Sequence, residues 1–241
     1  MNGIRMEHVS FSYEKGNLVL SDITVHAEGS DSIGLIGANG IGKSTLLKLL
    51  VGLNIDFEGE ILVGDTPIRK DTLPEIRQKI GYVFQDSDSQ LFMSTAYEDI
   101  AFGPRNYGIP EKEVEERVAH ALALTGIEHL RDRQIYKMSG GEKKLVSIAT
   151  ILSMMPEIIL MDEPSITLDP RNRRNLIRIL NSFHQLKIIA SHDLDLIWDT
   201  CSRTILMSDK KIICDGETRE ILRDRKLLES CGLELPLRFM E

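Results

Sequence analysis

Gly37-Ala38-Asn39-Gly40-Ile41-Gly42-Lys43-Ser44-Thr45 decides how the rest of this chain is read. The spacing is G-x-x-x-x-G-K-[ST], with the apolar run Ile33 to Ile36 before it and Leu46, Leu47, Leu49 and Leu50 after it. That order is strand, loop, helix. Glycines at 37, 40 and 42 let the backbone curl until successive N–H groups face one concave spot at a helix N-terminus, where partial positive charge favours phosphate oxygens. Lys43 is placed to neutralise β- and γ-phosphates, and the Ser44 hydroxyl to sit on Mg²⁺. Asn39 and Thr45 complete the loop positions expected at a bound nucleotide. A Gly-rich turn before a core helix needs neither Lys43 nor the fixed spacing.

The rest of the composition bounds what surrounds this loop. With 241 residues, 42% of them hydrophobic, the chain supports one large α/β domain or a core with a smaller lobe. A net charge of −8 leaves no basic field to hold a nucleic acid, and Arg171, Arg173 and Arg174 read as a local solvated helix face. Cys201, Cys214 and Cys231 are widely spaced without neighbouring histidines, which argues against zinc or a disulfide framework and fits a reducing cytoplasm. No apolar stretch approaches the ~18 residues needed to cross a bilayer, and no signal segment is expected. Any service to a membrane would run through a partner.

Before the loop, Ile4, Met6, Val9, Phe11 and Tyr13 alternate imperfectly with polar residues, and Leu18 to Ala27 gives a second strand-like run. After its helix, expected to end near Gly52, Gly59 to Val63 reads as another strand, so an antiparallel β-lobe is expected beside the phosphate site. Tyr13, at a strand end, is placed either to stack on a base or to half-bury in the lobe. Ile80 to Phe84 reads as a strand ending at Gln85, which either reaches an active centre or belongs to a solvated loop. From Pro110, near N1, to Gly126 the pattern is helical, with Val114, Val118, Ala121 and Leu122 on one face. Ser139-Gly140-Gly141-Glu142 opens a second helical run, either as an anion site made by bare N–H groups or as an ordinary serine N-cap.

Ile158-Ile159-Leu160-Met161 forms a fully apolar strand that ends in Asp162-Glu163-Pro164. Acids at the C-terminal end of a buried strand are costly unless they act, and in an open parallel sheet that edge is where ligands bind. Asp162 is expected to hold Mg²⁺ through water and Glu163 to polarise an attacking water. Pro170 to His184 reads as a helix and Lys187 to Ala190 as a buried strand ending at Ser191-His192-Asp193, which puts His192 at the same edge, in reach of the γ-phosphate or the attacking water. A hairpin around Asp209-Lys210 follows, and residues 216–241 read as one or two short helices and a tail.

With these pieces in order, the chain resembles the ATP-binding cassette (ABC) ATPases across nearly its whole length. Gly37 to Thr45 is similar to their Walker A, Gln85 to the Q-loop, Met138 to Glu142 to the signature, Ile158 to Glu163 to Walker B, Leu168-Asp169 to the D-loop and His192 to the switch histidine. Tyr13 matches the aromatic A-loop, which favours stacking on the base. Gln85 to Phe92, Glu98 to Asn106 and Ser139 to Lys144 resemble the energy-coupling factor and cobalt/nickel importer branch. Ile166 and Thr167 replace the usual small residues before the D-loop, and Leu145 stands where a basic residue is common. The chain is also shorter than relatives of this branch that carry a C-terminal dimerisation region.

The resemblance implies an α/β fold: a P-loop NTPase core with an antiparallel β-lobe and an inserted helical subdomain. The expected division is β-lobe and first core half at 1–84, helical signature subdomain at 85–155, second core half at 156–215 and short C-terminal helices at 216–241. It implies ATP and Mg²⁺ as ligands, with Ser44, Gln85 and Asp162 at the metal. Two cassettes, copies or paralogues, would sandwich ATP, with Ser139 and Gly141 acting across the dimer. Lys43, Gln85, Glu163 and His192 would carry catalysis. The implied function is the ATPase subunit of an importer for cobalt, nickel or a vitamin, at the cytoplasmic face with transmembrane transporter subunits as partners. The alternative is a soluble cassette ATPase acting on DNA or ribosomes. A P-loop metabolite kinase explains neither the signature nor His192.

Overall fold

A computed structural model describes residues 3–240. The chain divides into two compact units, one holding residues up to Ile80, Glu157–Glu163 and the chain from His184 onward, the other Gly81–Pro156 and Pro164–Phe183.

The first unit begins with β1 (Gly3–Glu14) and β2 (Asn17–Glu28), an antiparallel hairpin. Ile4, Met6, Val9 and Phe11 are buried, and the register shifts between Met6 and Val9, where His8 takes a positive φ of 51°. This irregularity is why the alternation in the sequence is imperfect. β3 (Ser32–Ile36) is buried throughout and feeds α1 (Lys43–Leu50), which turns Leu46, Leu47, Leu49 and Leu50 inward. β4 (Glu58–Val63) and β5 (Thr66–Pro67) complete a β-lobe of order β2-β1-β4-β5, antiparallel as expected. α2 (Leu73–Lys79) follows, and β6 (Ile80–Val83) carries the chain into the second unit.

The second unit is helical. α3 (Ala96–Asn106) starts at a capping box between Thr95 and Glu98. α4 (Glu111–Thr125) buries Val114, Val118, Ala121 and Leu122 and stops at Gly126. α5 (Gly140–Leu152) starts at a second capping box, between Ser139 and Glu142. The helical stretch therefore begins earlier than Pro110. Gly103 and Pro104 lie inside α3 and break the sequence pattern that would have revealed it. Pro110 is the N-cap of α4, in extended conformation, rather than its first helical residue.

β7 (Ile158–Asp162) returns to the first unit, buried at every position. α6 (Pro170–Ser182) belongs to the second unit and ends before His184, because Phe183 is already extended. β8 (Leu186–Ala190), α7 (Leu194–Thr200), β9 (Arg203–Ser208), β10 (Lys211–Glu217), α8 (Thr218–Ile221) and α9 (Arg225–Ser230) complete the first unit. Its second sheet runs β10-β9-β3-β8-β7, with β9, β3, β8 and β7 parallel and β10 antiparallel at the edge. The parallel strands β3, β7 and β8 thus deliver Gly37, Glu163 and Ser191-His192 to one sheet edge.

Candidate nucleotide site

Gly37 leaves β3 with φ 152°, and a Cβ at that position would lie 2.5 Å from the Met207 carbonyl oxygen. Gly42, at φ 112°, would carry a Cβ 2.8 Å from Leu20 Cδ2. Both positions demand glycine, which fixes the curl of the loop. Asn39 and Gly40 are exposed at its tip. Lys43 is 6% exposed, and its ammonium donates to the Gly37 carbonyl at 2.7 Å and to the Ala38 carbonyl at 3.1 Å. Burial pushes its pKa below the usual lysine range, and the charges of Glu163 and Asp162 oppose that shift.

Asp162 ends β7 and accepts a hydrogen bond from Ser44 Oγ at 2.9 Å. Glu163 follows with a positive φ of 47°, its N–H bonded to the Ala190 carbonyl at 2.8 Å. Its buried carboxylate accepts from Ser191 Oγ and from the His192 N–H, both at 3.1 Å, and lies 2.8 Å from His192 Nδ1. Tyr13 is 57% exposed, with its hydroxyl 3.2 Å from Thr45 Oγ1 and its ring edge-on to Phe11. The first unit therefore brings together Tyr13 and Thr45, Ser44 and Asp162, and Glu163 and His192, with Lys43 in the field of both acids.

Gln85, Ser139 and Gly141 belong to the second unit. Gln85 follows β6, and its carbonyl, with that of Phe84, accepts from the ammonium of Lys144 at 2.7 and 2.8 Å. Ser139 caps α5: its Oγ accepts from the Glu142 N–H, and Glu142 accepts from the Ser139 N–H at 2.8 Å. A Cβ at Gly141 would meet Asn172 Nδ2 at 3.2 Å, and Thr167 holds a positive φ of 72°.

Three supporting residues escape the sequence reading. In the sequence Ser191 stands only as a flank of His192. Lys144, 1% exposed, lies four residues before Ile148 on the apolar stripe of α5, a position that could have flagged it. Gln90 donates to the Ser147 carbonyl at 2.7 Å and to Thr150 at 2.8 Å, and accepts from the Phe84 N–H.

The Ser44 hydroxyl and Asp162 carboxylate are hard oxygen donors, which fits Mg²⁺. Among the described residues no group of three or more His, Cys, Asp or Glu could hold a metal ion, so an ion here would depend on neutral oxygen donors, phosphate and water beside the one carboxylate.

The ABC transporter family model matches residues 20–166. The chain belongs to the ABC transporter family. It is 46% identical over 97% of its length to a Geobacter sulfurreducens protein named as an ABC transporter ATP-binding protein, covering 94% of that protein. It is 42% identical to the energy-coupling factor transporter ATP-binding protein EcfA of Methanothermobacter thermautotrophicus, covering 97% of this chain and 76% of EcfA. The solved structure of CbiO1 from Clostridium perfringens, part of the ABC transporter complex CbiONQ, superposes with a TM-score of 0.84 at 32% identity, over 95% of this chain and 94% of CbiO1. The fold is accordingly that of an ABC ATPase, and the chain is an ATP-binding, ATP-hydrolysing subunit of an ABC transporter. Among the described residues no helix is long and apolar enough to cross a membrane.

Proposed function

We propose that this ATPase drives an importer of the energy-coupling factor type, energising uptake of a metal ion such as cobalt or nickel, or of a vitamin, through separate membrane subunits. The similarity to EcfA and CbiO1 supports that branch, as do the runs Gln85 to Phe92 and Glu98 to Asn106. In this reading the chain works at the cytoplasmic face with a second cassette, a copy or a paralogue. The observation that carries the catalytic part is the pairing of Glu163 with Ser191 and His192 beside the Ser44–Asp162 pair.

The chemistry follows from that geometry. Tyr13 stacks on the adenine, and the loop N–H groups of Gly37 to Thr45, Asn39 included, cradle the phosphates. Lys43, already desolvated and held in the loop, exchanges carbonyl partners for phosphate oxygens and neutralises charge where it develops. Ser44, Asp162 through water, and Gln85 would hold Mg²⁺, which when bound supplies charge neutralisation at the β- and γ-oxygens. Glu163 takes the proton of the attacking water. His192, its Nδ1 tied to Glu163, presents the rest of its half-exposed ring to the γ-phosphate. Ser139 and Gly141 of the helical segment 85–155 act on the ATP of the partner cassette, and Gln85 passes closure to the membrane subunits.

Glu163→Gln tests the base. It keeps the side chain's size and its hydrogen bond from the His192 N–H, so ATP binding should persist while turnover falls about 10²–10⁴-fold, and an ATP-bound dimer should accumulate on size-exclusion chromatography. Undiminished turnover overturns the assignment. Co-purification with hydrophobic membrane subunits supports the importer; recovery with ribosomes or DNA instead overturns it.

A further inference from the structure

A cleft of about 580 Å³ lies wholly within the second unit. One wall is α6, which contributes Arg171, Arg174 and Arg178. At 3.6 residues per turn these positions share one helix face, in a row about 10 Å long. Like charges so spaced repel each other on a helix unless something neutralises them.

No ion pair among the described residues does so. The guanidinium groups of Arg171 and Arg174 have no hydrogen-bond or ion-pair partner there, and that of Arg178 donates only to the neutral amide oxygen of Asn175, at 2.7 Å. Two acids line the cleft, but both are committed elsewhere. Asp169 caps α6, with Oδ1 accepting from the N–H groups of Arg171 and Asn172 at 2.8 and 2.9 Å and Oδ2 from Asn172 Nδ2. Glu142 gives Oε2 to the Ser139 capping box and Oε1 to Arg133 at 2.9 Å. The cleft thus gathers three guanidinium groups that form no ion pair, and His129, around the one carboxylate, Asp169, that is bonded only to neutral donors, in a chain of net charge −8.

Its floor has the opposite character. Ile127, Leu130 and Leu145 line it and are buried. A purely solvated arginine face needs neither a concavity nor an apolar floor. The volume falls in the range of small-molecule sites, the planar guanidinium fork matches the paired oxygens of phosphate or carboxylate, and a row of three such forks suits linked phosphoryl groups, which carry more charge than a single carboxylate.

We propose that this cleft binds a small phosphate-bearing anion with at least two linked phosphoryl groups, of the size of a nucleotide, at a site separate from the phosphate loop. The arginine row takes the phosphates and the apolar floor takes any ring attached to them. The walls include the first turns of α5 and α6, which follow Ser139 and Asp169, so an occupant ties together the two helix starts that carry the signature and the residues around Thr167.

Isothermal titration of the full chain carrying Lys43→Ala, which silences the phosphate loop, tests this with inorganic pyrophosphate and, separately, ADP. One saturable site per chain is expected, weakened about a hundredfold or more by combined Arg171→Ala, Arg174→Ala and Arg178→Ala, with an unchanged circular-dichroism melt. Equal affinity for the two probes assigns recognition to the phosphates alone; tighter ADP adds the apolar floor. If Lys43→Ala misfolds, the parent chain should show two ADP sites that fall to one in the triple variant. Absence of a saturable site, binding indifferent to the triple replacement, or binding of poly-glutamate but neither phosphate probe overturns the proposal.

Discussion

Lys144→Met should lower both the stability and the turnover of this protein. The ammonium of Lys144 is 1% exposed and donates to the carbonyls of Phe84 and Gln85, at 2.8 and 2.7 Å. It thereby pins the end of β6 and the backbone of Gln85 to α5. Methionine nearly matches the volume but donates nothing, so two charge-assisted hydrogen bonds vanish, a gross loss of about 3–6 kcal/mol. Removing a buried ammonium also releases its desolvation penalty, which offsets several kcal/mol. A net destabilisation of about 1–3 kcal/mol remains.

Urea unfolding reads the first effect as a lower midpoint at unchanged slope. Steady-state ATP hydrolysis, measured well below that midpoint, reads the second. If Lys144 positions Gln85, kcat falls several-fold while the KM for ATP, set by the phosphate loop, moves little. A variant that is less stable but keeps the parent kcat would refute the positioning role. One within about 0.5 kcal/mol of the parent would refute the energetic reasoning as well.

Arg238→Ala should loosen the end of the chain from α7: Arg238 bonds Asp195 at 2.7 Å and Asp199 at 2.8 Å and lies 5.5 Å from the Trp198 ring. Two partly exposed ion pairs and a cation–π contact are together worth about 1–2 kcal/mol, so the melting temperature should drop by about 2–6 °C, and by less in 1 M salt. Asp99 gives a pH signature. Burial raises its pKa, against the N–H groups of Phe92 and Met93 that favour the carboxylate. The folded state then holds this proton to higher pH than the unfolded chain does, so the contribution of Asp99 to stability falls as pH rises from the ordinary aspartate range through the raised folded value. Urea midpoints taken from pH 4 to 7 should show Asp99→Asn gaining on the parent as pH rises, and parallel profiles would contradict the assignment.

The positions that the fold gathers at one sheet edge are legible in the sequence because each announces itself locally. Gly37 to Thr45 has a fixed spacing, and Asp162-Glu163 and Ser191-His192 each stand at the end of a short apolar run, which in a parallel sheet must point to the ligand edge. Residues that support them from a distance in sequence are not. Lys144 reads as one of two ordinary lysines until the fold places its ammonium on carbonyls 59 and 60 positions away. Gln90 is likewise a loop residue until it reaches α5. α3 is not apparent in the sequence because Gly103 and Pro104 lower local helix propensity, which packing of Ile100 and Ala101 and the Thr95 cap override. Short α7 offered too few turns for a periodic signal. Arg171 and Arg174 are exposed, as a solvated helix face requires, and the sequence does not show that they also line a cleft.

Glu163 carries one further consequence, because its φ of 47° is a conformation that L side chains adopt at a penalty of about 1–2 kcal/mol. The geometry persists because the residue is held from both sides, its N–H by the Ala190 carbonyl and its carboxylate by Ser191 and the His192 N–H. That turn swings the carboxylate from the end of β7 onto the residues that follow β8, the position proposed above for the base. Comparing Glu163→Ala with Glu163→Gly isolates the backbone contribution, since both remove the carboxylate. At an ordinary position alanine is the more stable by about 0.4–1 kcal/mol, through the entropy of the unfolded chain. Here the left-handed penalty on alanine exceeds that advantage, so Glu163→Gly should be the more stable of the two by about 0.5–1 kcal/mol in urea unfolding, while neither hydrolyses ATP. If alanine is the more stable variant, the turn relaxes once the carboxylate is gone, and the side-chain hydrogen bonds alone impose it.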